Sequence, residues 1–120
     1  MKARLMDKKQ RGKWGEGQAA NLLQQKGFSI LHRNYRYGRS EIDLIAQKDK
    51  LVIFVEVKVR KDVHYGFPEA TLSSMQANRI HRVATHYQQF IDPYAHIRFD
   101  IVSIRKSQSQ WLIEHFEDAF

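Results

Sequence analysis

The chain has 120 residues, with 42% hydrophobic and 12% aromatic residues, which predicts a single globular domain over 1–120 and excludes intrinsic disorder. Twenty Lys and Arg stand against 13 Asp and Glu, a net charge of +7, so an anionic partner is favoured, nucleic acid before an acidic membrane surface. Cysteine is absent, which excludes disulfides and thiolate metal sites.

Residues 1–11 carry Lys2, Arg4, Lys8, Lys9 and Arg11. They read either as a flexible basic terminus or as an arm for a nucleic acid backbone. They lack the apolar segment of a secretory signal. The longest apolar run, Leu51 to Val55, is far too short to span a bilayer, and the expected location is cytoplasmic.

Gly12 to Lys26 predicts a first helix, stopped by Gly27. Its apolar side holds Ala19, Ala20 and Leu23, and Glu16 lies on the same stripe. Glu16 is either an acid favoured by the helix dipole or a carboxylate aimed at a site. Gly12, Gly15 and Gly17 do not form a phosphate loop, and close packing of the helix start against a strand or a bound backbone explains them better. Phe28 to Tyr35 predicts a first strand. The stretch Arg33 to Arg39, which includes Arg36, interleaves cations with tyrosines, suiting phosphate contacts and base stacking or else an ordinary solvated loop.

Ser40 to Arg60 reads as two strands around a polar turn. Glu41, Asp43 and Ile45 are expected on one face of the first strand, with Ile42, Leu44 and Ala46 on the other. In the second strand Leu51, Ile53, Val55, Val57 and Val59 form a core face, and Glu56 and Lys58 project together from the opposite one. A turn at Asp49 and Lys50 sets Lys48 opposite Leu51 and Asp43 opposite Glu56. Opposed side chains have Cβ atoms roughly 4.5 to 5.5 Å apart, where two carboxylates repel. A divalent cation would remove the penalty, and open positions for water and phosphate describe a Mg²⁺ site. The bland alternative is a strand-end Asp43 beside a solvated Glu56–Lys58 ion pair.

Residues 61–68 read as a loop that leaves the strand just past Lys58, with Arg60 and Lys61 at its start. A second helix, capped by Ser73 or Ser74, runs to about Phe90 with Ala77, Ile80, Val83, Ala84, Tyr87 and Ile91 inward. Arg79 and Arg82 lie off that stripe, free to face solvent or a phosphate. Asp92-Pro93 ends it. Ile97 to Lys106 and Gln110 to Phe116 read as strands, the last at an edge, with a turn at Ser107 to Ser109. No H-E-x-x-H, G-x-S-x-G or P-loop pattern occurs.

The order of elements, and Asp43 followed by Glu56-Val57-Lys58, resembles the restriction-endonuclease-like PD-(D/E)XK nucleases. More closely, the chain resembles the bacterial YraN-like family of predicted endonucleases, related to archaeal Holliday-junction resolvases. The matching segments are G-E-G-Q-A-A at Gly15, L-H-R-N-Y-R at Leu31, S-E-I-D-L-I-A at Ser40, F-V-E-V-K-V-R at Phe54, A-N-R-I at Ala77 and R-F-D-I-V at Arg98. Ser40 departs from the family's usual Gly. The resemblance implies an α/β fold, order αβββαββ, with a mixed sheet of about five strands flanked by helices. It implies Mg²⁺ or Mn²⁺ held by Asp43, Glu56 and the Val57 carbonyl, with Lys58 and Glu16 completing a catalytic set for cleaving branched or structured DNA, and a homodimer as in the resolvases. Arg33, Arg36, Arg39, Arg60, Lys61, Arg79 and Arg82 are the expected DNA contacts. The rival expectation is a non-catalytic nucleic-acid-binding module that keeps the fold.

Overall fold

The computed structural model describes residues 6–60 and 72–120. The expectations for Lys61, for the rest of the loop after β3 and for residues 1–5 lie outside them. The elements are α1 (Lys8–Gln25), β1 (Ser29–Tyr37), β2 (Ser40–Lys48), β3 (Leu51–Arg60), α2 (Ser74–Tyr87), a 3₁₀ turn (Gln88–Phe90), β4 (His96–Ser107) and β5 (Gln110–Phe116). This is the expected αβββαββ arrangement of an α/β, restriction-endonuclease-like fold. None of these helices is long and apolar enough to cross a membrane.

The five strands lie in sequence order, β1-β2-β3-β4-β5, all antiparallel to their neighbours except the parallel pair β3 and β4. A parallel pair needs a crossover, and α2 supplies it. The helices cover opposite faces. Ala19, Ala20 and Leu23 of α1 pack with Leu44, Ala46, Ile53, Val55, Val102 and Ile104. Ile80, Val83, Ala84 and Tyr87 of α2 pack with Ile42, Ile45, Val52 and Phe54. Strand β3 therefore supplies odd positions to one core and even positions to the other, which is why its start is apolar on both faces.

Local chemistry sets the boundaries. Asp7 caps α1 by accepting from the Gln10 amide at 2.8 Å while Gln10 returns a bond to the Asp7 amide, a capping box that starts the helix at Lys8 and not at Gly12. Lys8 to Arg11, expected to be flexible, form its first turn. Ser73, not Ser74, caps α2 in the same way with Gln76. The second helix ends as α-helix at Tyr87 and tightens into the 3₁₀ turn. The stretch from Arg33 to Tyr37 is strand, and only Gly38 and Arg39 turn. Gly38 has φ of 64°, a left-handed conformation that glycine adopts without penalty.

Gly15 is buried where α1 crosses β3, and a Cβ there would overlap the Val59 Cγ2 methyl, whereas nothing lies within 4 Å of one at Gly17. Valine has little rotamer freedom with which to yield. Gly15→Ala should destabilise the protein by about 1–3 kcal/mol through overpacking. Gly17→Ala should instead stabilise it by up to about 1 kcal/mol through helix propensity. Urea denaturation of the two variants reads both signs, and equal effects would refute the close-approach account.

Candidate active site

The site is built around a break in the sheet. The β2–β3 ladder runs from Lys48↔Leu51 to Leu44↔Val55, the register expected from the Asp49–Lys50 turn. The next rung would set Asp43 against Glu56, but there the backbone pairing stops. The Val57 amide instead donates to the Asp43 carboxylate, Oδ2, at 2.8 Å. A side chain has taken the place of a ladder carbonyl, and the two strands part beyond it.

The break has a second contributor on β1. Asn34, which falls opposite Asp43 between the pairs Arg33↔Leu44 and Tyr35↔Ile42, has φ of 54°. Asn tolerates this left-handed conformation better than most residues. The expected alternation of β2 fails at the same point. Ile42 packs with Ile45 in the α2-side core, while Leu44 and Ala46 enter the α1-side core. The side-chain sequence slips by one position at Asp43, so Ile42 does not share a face with Leu44 and Ala46 as period-two reasoning required. This slip turns Glu41 to the α1 side, where it lines a cleft with Glu16.

Asp43 thus stands at the junction of two groups of charges. On the α2 side, Glu56 feels Asp43, Lys58, Arg79 and Glu41. On the α1 side, Glu16 accepts a hydrogen bond from Asn34 Nδ2 at 3.1 Å and feels Asp43, Glu41 and Arg33. Glu16 is the inward acid of the helix stripe, brought near Asp43 only because the sheet is open there.

The electrostatics are unfavourable for an anionic cluster. Burial pushes the Asp43 carboxyl up from 3.8 to about 8, the Glu56 charge adds to the rise, and the Val57 amide offsets it in part. Burial also raises Glu56, against the hydrogen bond from Asp43 and the charges of Lys58 and Arg79. The pair shares a proton at neutral pH, as closely opposed carboxylates do. Burial raises Glu16 as well.

A second buried acid shows the opposite arrangement. Asp100 on β4 is fully buried and receives Arg98 Nε and Nη2 at 2.9 Å each, His115 Nε2 at 2.7 Å and the Asp118 amide at 3.0 Å. Lys26 Nζ donates to His115 Nδ1 at 2.8 Å, which assigns the ring proton to Nε2, facing Asp100. Burial alone would raise Asp100, but the bonds from His115, Arg98 and the Asp118 amide hold it below the usual carboxylate range. The same sheet therefore holds one acid fully satisfied as an anion and one left protonated.

Asp43 and Glu56 are suited to a hard divalent cation, being adjacent oxygen donors carrying a proton that an ion would displace. Among the described residues no three His, Cys, Asp or Glu side chains cluster closely enough to hold an ion by themselves. An ion at the pair would draw further ligands from water, phosphate or the Val57 carbonyl.

Beside the acids lies a cleft of about 700 Å³ lined by Lys8, Lys9 and Lys13 of α1, by Asn34 and Arg36 of β1, and by Glu16 and Glu41. Arg36 Nε pairs with Glu41 at 3.1 Å. Of the cations expected from sequence, Arg33, Arg36 and Arg79 stand near the acids, while Arg39, Arg60 and Arg82 are exposed farther along their elements. Sequence reasoning missed Asn34 and Glu41 as members of the site and Lys13 as part of its wall. The one available signal was Asn34, a residue that favours left-handed backbone inside a strand-like run.

A sequence model of the uncharacterised protein family UPF0102 matches residues 15–104. The chain belongs to this family. The UPF0102 protein of Flavobacterium psychrophilum is 38% identical over 109 residues, covering 91% of this chain and 92% of that protein. The UPF0102 protein of Dictyoglomus thermophilum is 39% identical over 118 residues, covering 96% and 100%. That of Shewanella sediminis is 41% identical over 105 residues, covering 88% and 90%. Membership of UPF0102 agrees with the YraN-like resemblance, and the matched span contains Glu16, Asp43, Glu56 and Lys58.

The raised Asp43 carboxyl makes a stability prediction. Its proton is held in the fold to about pH 8 but is lost near 3.8 in the unfolded chain. The group's contribution is complete below the unfolded value and disappears as pH rises through the folded one. Asp43→Asn keeps an acceptor for the Val57 amide and a donor towards Glu56 without the charge. In chelator, the variant should match wild type near pH 4 and exceed it by roughly 1–3 kcal/mol near pH 8. Urea midpoints across that range decide the matter, and a variant less stable than wild type at every pH would refute the strained-pair account.

Proposed function

We propose that this UPF0102 protein is a divalent-metal-dependent endonuclease that hydrolyses phosphodiester bonds in branched or structured DNA. The observation that supports this most is the Asp43–Glu56 pair at the fork between β2 and β3, two neighbouring carboxyls that burial holds above their ordinary pKa values. Folding alone gives no reason to retain such a pair, and function does. Asp43 and Glu56 would hold Mg²⁺ or Mn²⁺, with the Val57 carbonyl as a further ligand. When bound, the ion would supply a water of lowered pKa and polarise the scissile phosphate.

The chain's own groups have separate tasks. Lys58 follows Glu56 by one pleat on the same strand face, and its charge is felt by Glu56. It would orient the attacking water and stabilise charge that develops on the phosphate. Glu16, held by Asn34, would tune the acids from the α1 side. The Val57 amide fixes one Asp43 oxygen, and the carboxyl also hydrogen-bonds Glu56. Arg36 and the α1 lysines would bind the DNA backbone along the cleft. Two copies of the chain on one branched DNA would make paired cuts.

The second reading is a DNA-binding module without turnover, which the basic wall of the cleft supports equally well. Lys58 separates the two. Under the nuclease reading, Lys58→Ala should lower single-turnover cleavage of a branched substrate about a hundredfold or more while the dissociation constant barely changes. Lys58→Arg should not restore it, because a planar fork does not replace a compact ammonium. Cleavage by Lys58→Ala at the wild-type rate would remove Lys58 from the mechanism. Absence of metal-dependent cleavage by wild type on linear, flapped, single-stranded and four-way DNA would leave the binding module.

Metal binding has its own readout. Mn²⁺ at about 100 times its dissociation constant should stabilise wild type by roughly 2.7 kcal/mol in thermal denaturation. Asp43→Asn should lose most of that gain. An equal gain in both proteins would place the ion elsewhere. DNA affinity should also fall steeply with salt, and charge reversal at Arg36 should reduce the slope of log affinity against log salt by about one.

A further inference from the structure

Outside the carboxylate site, a set of aromatic rings stands in solvent where β1 meets the end of α2. The Tyr37 and His86 rings stack at 3.9 Å with planes 9° apart, and Phe90 meets His86 edge-on at 5.6 Å. Tyr37 is 43% exposed and Phe90 is 65% exposed. Beneath them, Tyr35 and Tyr87 pack edge-to-face at 5.0 Å, joined by His32. Phe90 also meets Tyr87 at 6.2 Å, so the exposed rings connect to a buried ring of α2.

Among the described residues, arginines flank this cluster. Arg39 follows Tyr37 in the β1–β2 turn and is exposed. On α2, Arg79, Arg82 and His86 are spaced by three and four residues, so they share one helix face, and Arg79 is close enough to Glu56 to lower its pKa. From Arg79 to His86 the helix rises about 10 Å, roughly three base steps of 3.4 Å. A row of cations thus leads from the candidate active site to a stacked pair of rings, the combination of backbone charge and ring surface that binds unpaired nucleotides.

We propose that the Tyr37–His86–Phe90 cluster is a stacking platform for an unpaired base of DNA, a few nucleotides from the cleaved phosphate. This rests on the nuclease reading and narrows its substrate to DNA with unpaired bases beside the cut. A base inside a continuous duplex has its faces covered by its neighbours and gains nothing from the rings.

The test measures binding in chelator, without cleavage, by fluorescence anisotropy. The two DNAs are a continuous duplex and the same duplex with a short single-stranded gap carrying a fluorescent adenine analogue. Wild type should prefer the gapped DNA and quench the analogue. Tyr37→Ala should lose roughly tenfold in affinity for the gapped DNA and keep its duplex affinity. Tyr37→Phe should retain the preference, since the ring does the stacking. Phe90→Ala, at a more exposed position, gives a second variant with the same expectation. Equal weakening on both DNAs, or no change on the gapped one, overturns the platform and leaves the nuclease reading standing. Failure of wild type to bind either DNA overturns both.

Discussion

The Asp43 carboxylate accepts the Val57 amide at 2.8 Å in the place where a β2 carbonyl would continue the ladder. That substitution keeps the β3 amide satisfied while the strands separate, so the opening of the sheet does not leave an orphaned donor. It also draws a carboxylate out of water and sets it beside Glu56. The raised pKa of both acids, the slip in β2 and the access of Glu16 from the other face all follow from this one fork. Asp100, satisfied by a guanidinium, an imidazole and an amide within the same sheet, has none of these properties.

The surrounding fold is arranged to hold the fork open. Strand β3 lies at the centre of the sheet, paired to β4 along its whole length, so its later half does not depend on β2. Helix α1 clamps β3 from one face at the Gly15–Val59 contact, and α2 covers β2 from the other. Glu56 and Lys58 therefore project from a strand held by β4 and by α1, which is the rigid support that a preorganised site needs.

Charge on the surface is placed with respect to the same fork. The cleft side carries lysines of the capped first turn of α1, and the α2 side carries Arg79 and then Arg82. Cations thus stand on both flanks of an acid pair that shares a proton.

Much of this was legible in the amino-acid order. The period-two pattern of Leu51 to Val59, the polar turn at Asp49 and Lys50, and the three-and-four spacing in α2 specified the elements and the β2–β3 register, because these depend on local sterics and on which faces are apolar. The placement of Asp43 against Glu56 followed from that register. Glu16 was already expected to face a site from its place on the inward stripe of α1, but the slip at Asp43, the left-handed Asn34 and the recruitment of Glu41 were not legible. They arise where pairing on two sides of β2 fails at once, and no periodicity rule describes a strand at the point where it stops obeying its period. The start of α1 was misplaced because the basic residues up to Arg11 read as a flexible terminus or an arm, whereas the Asp7–Gln10 capping box begins the helix at Lys8. Sequence alone determined which carboxylates and cations were available. Only the tertiary structure decided which of them share a proton, because that depends on distances of a few ångströms between strands and helices whose separation is set by the packed core.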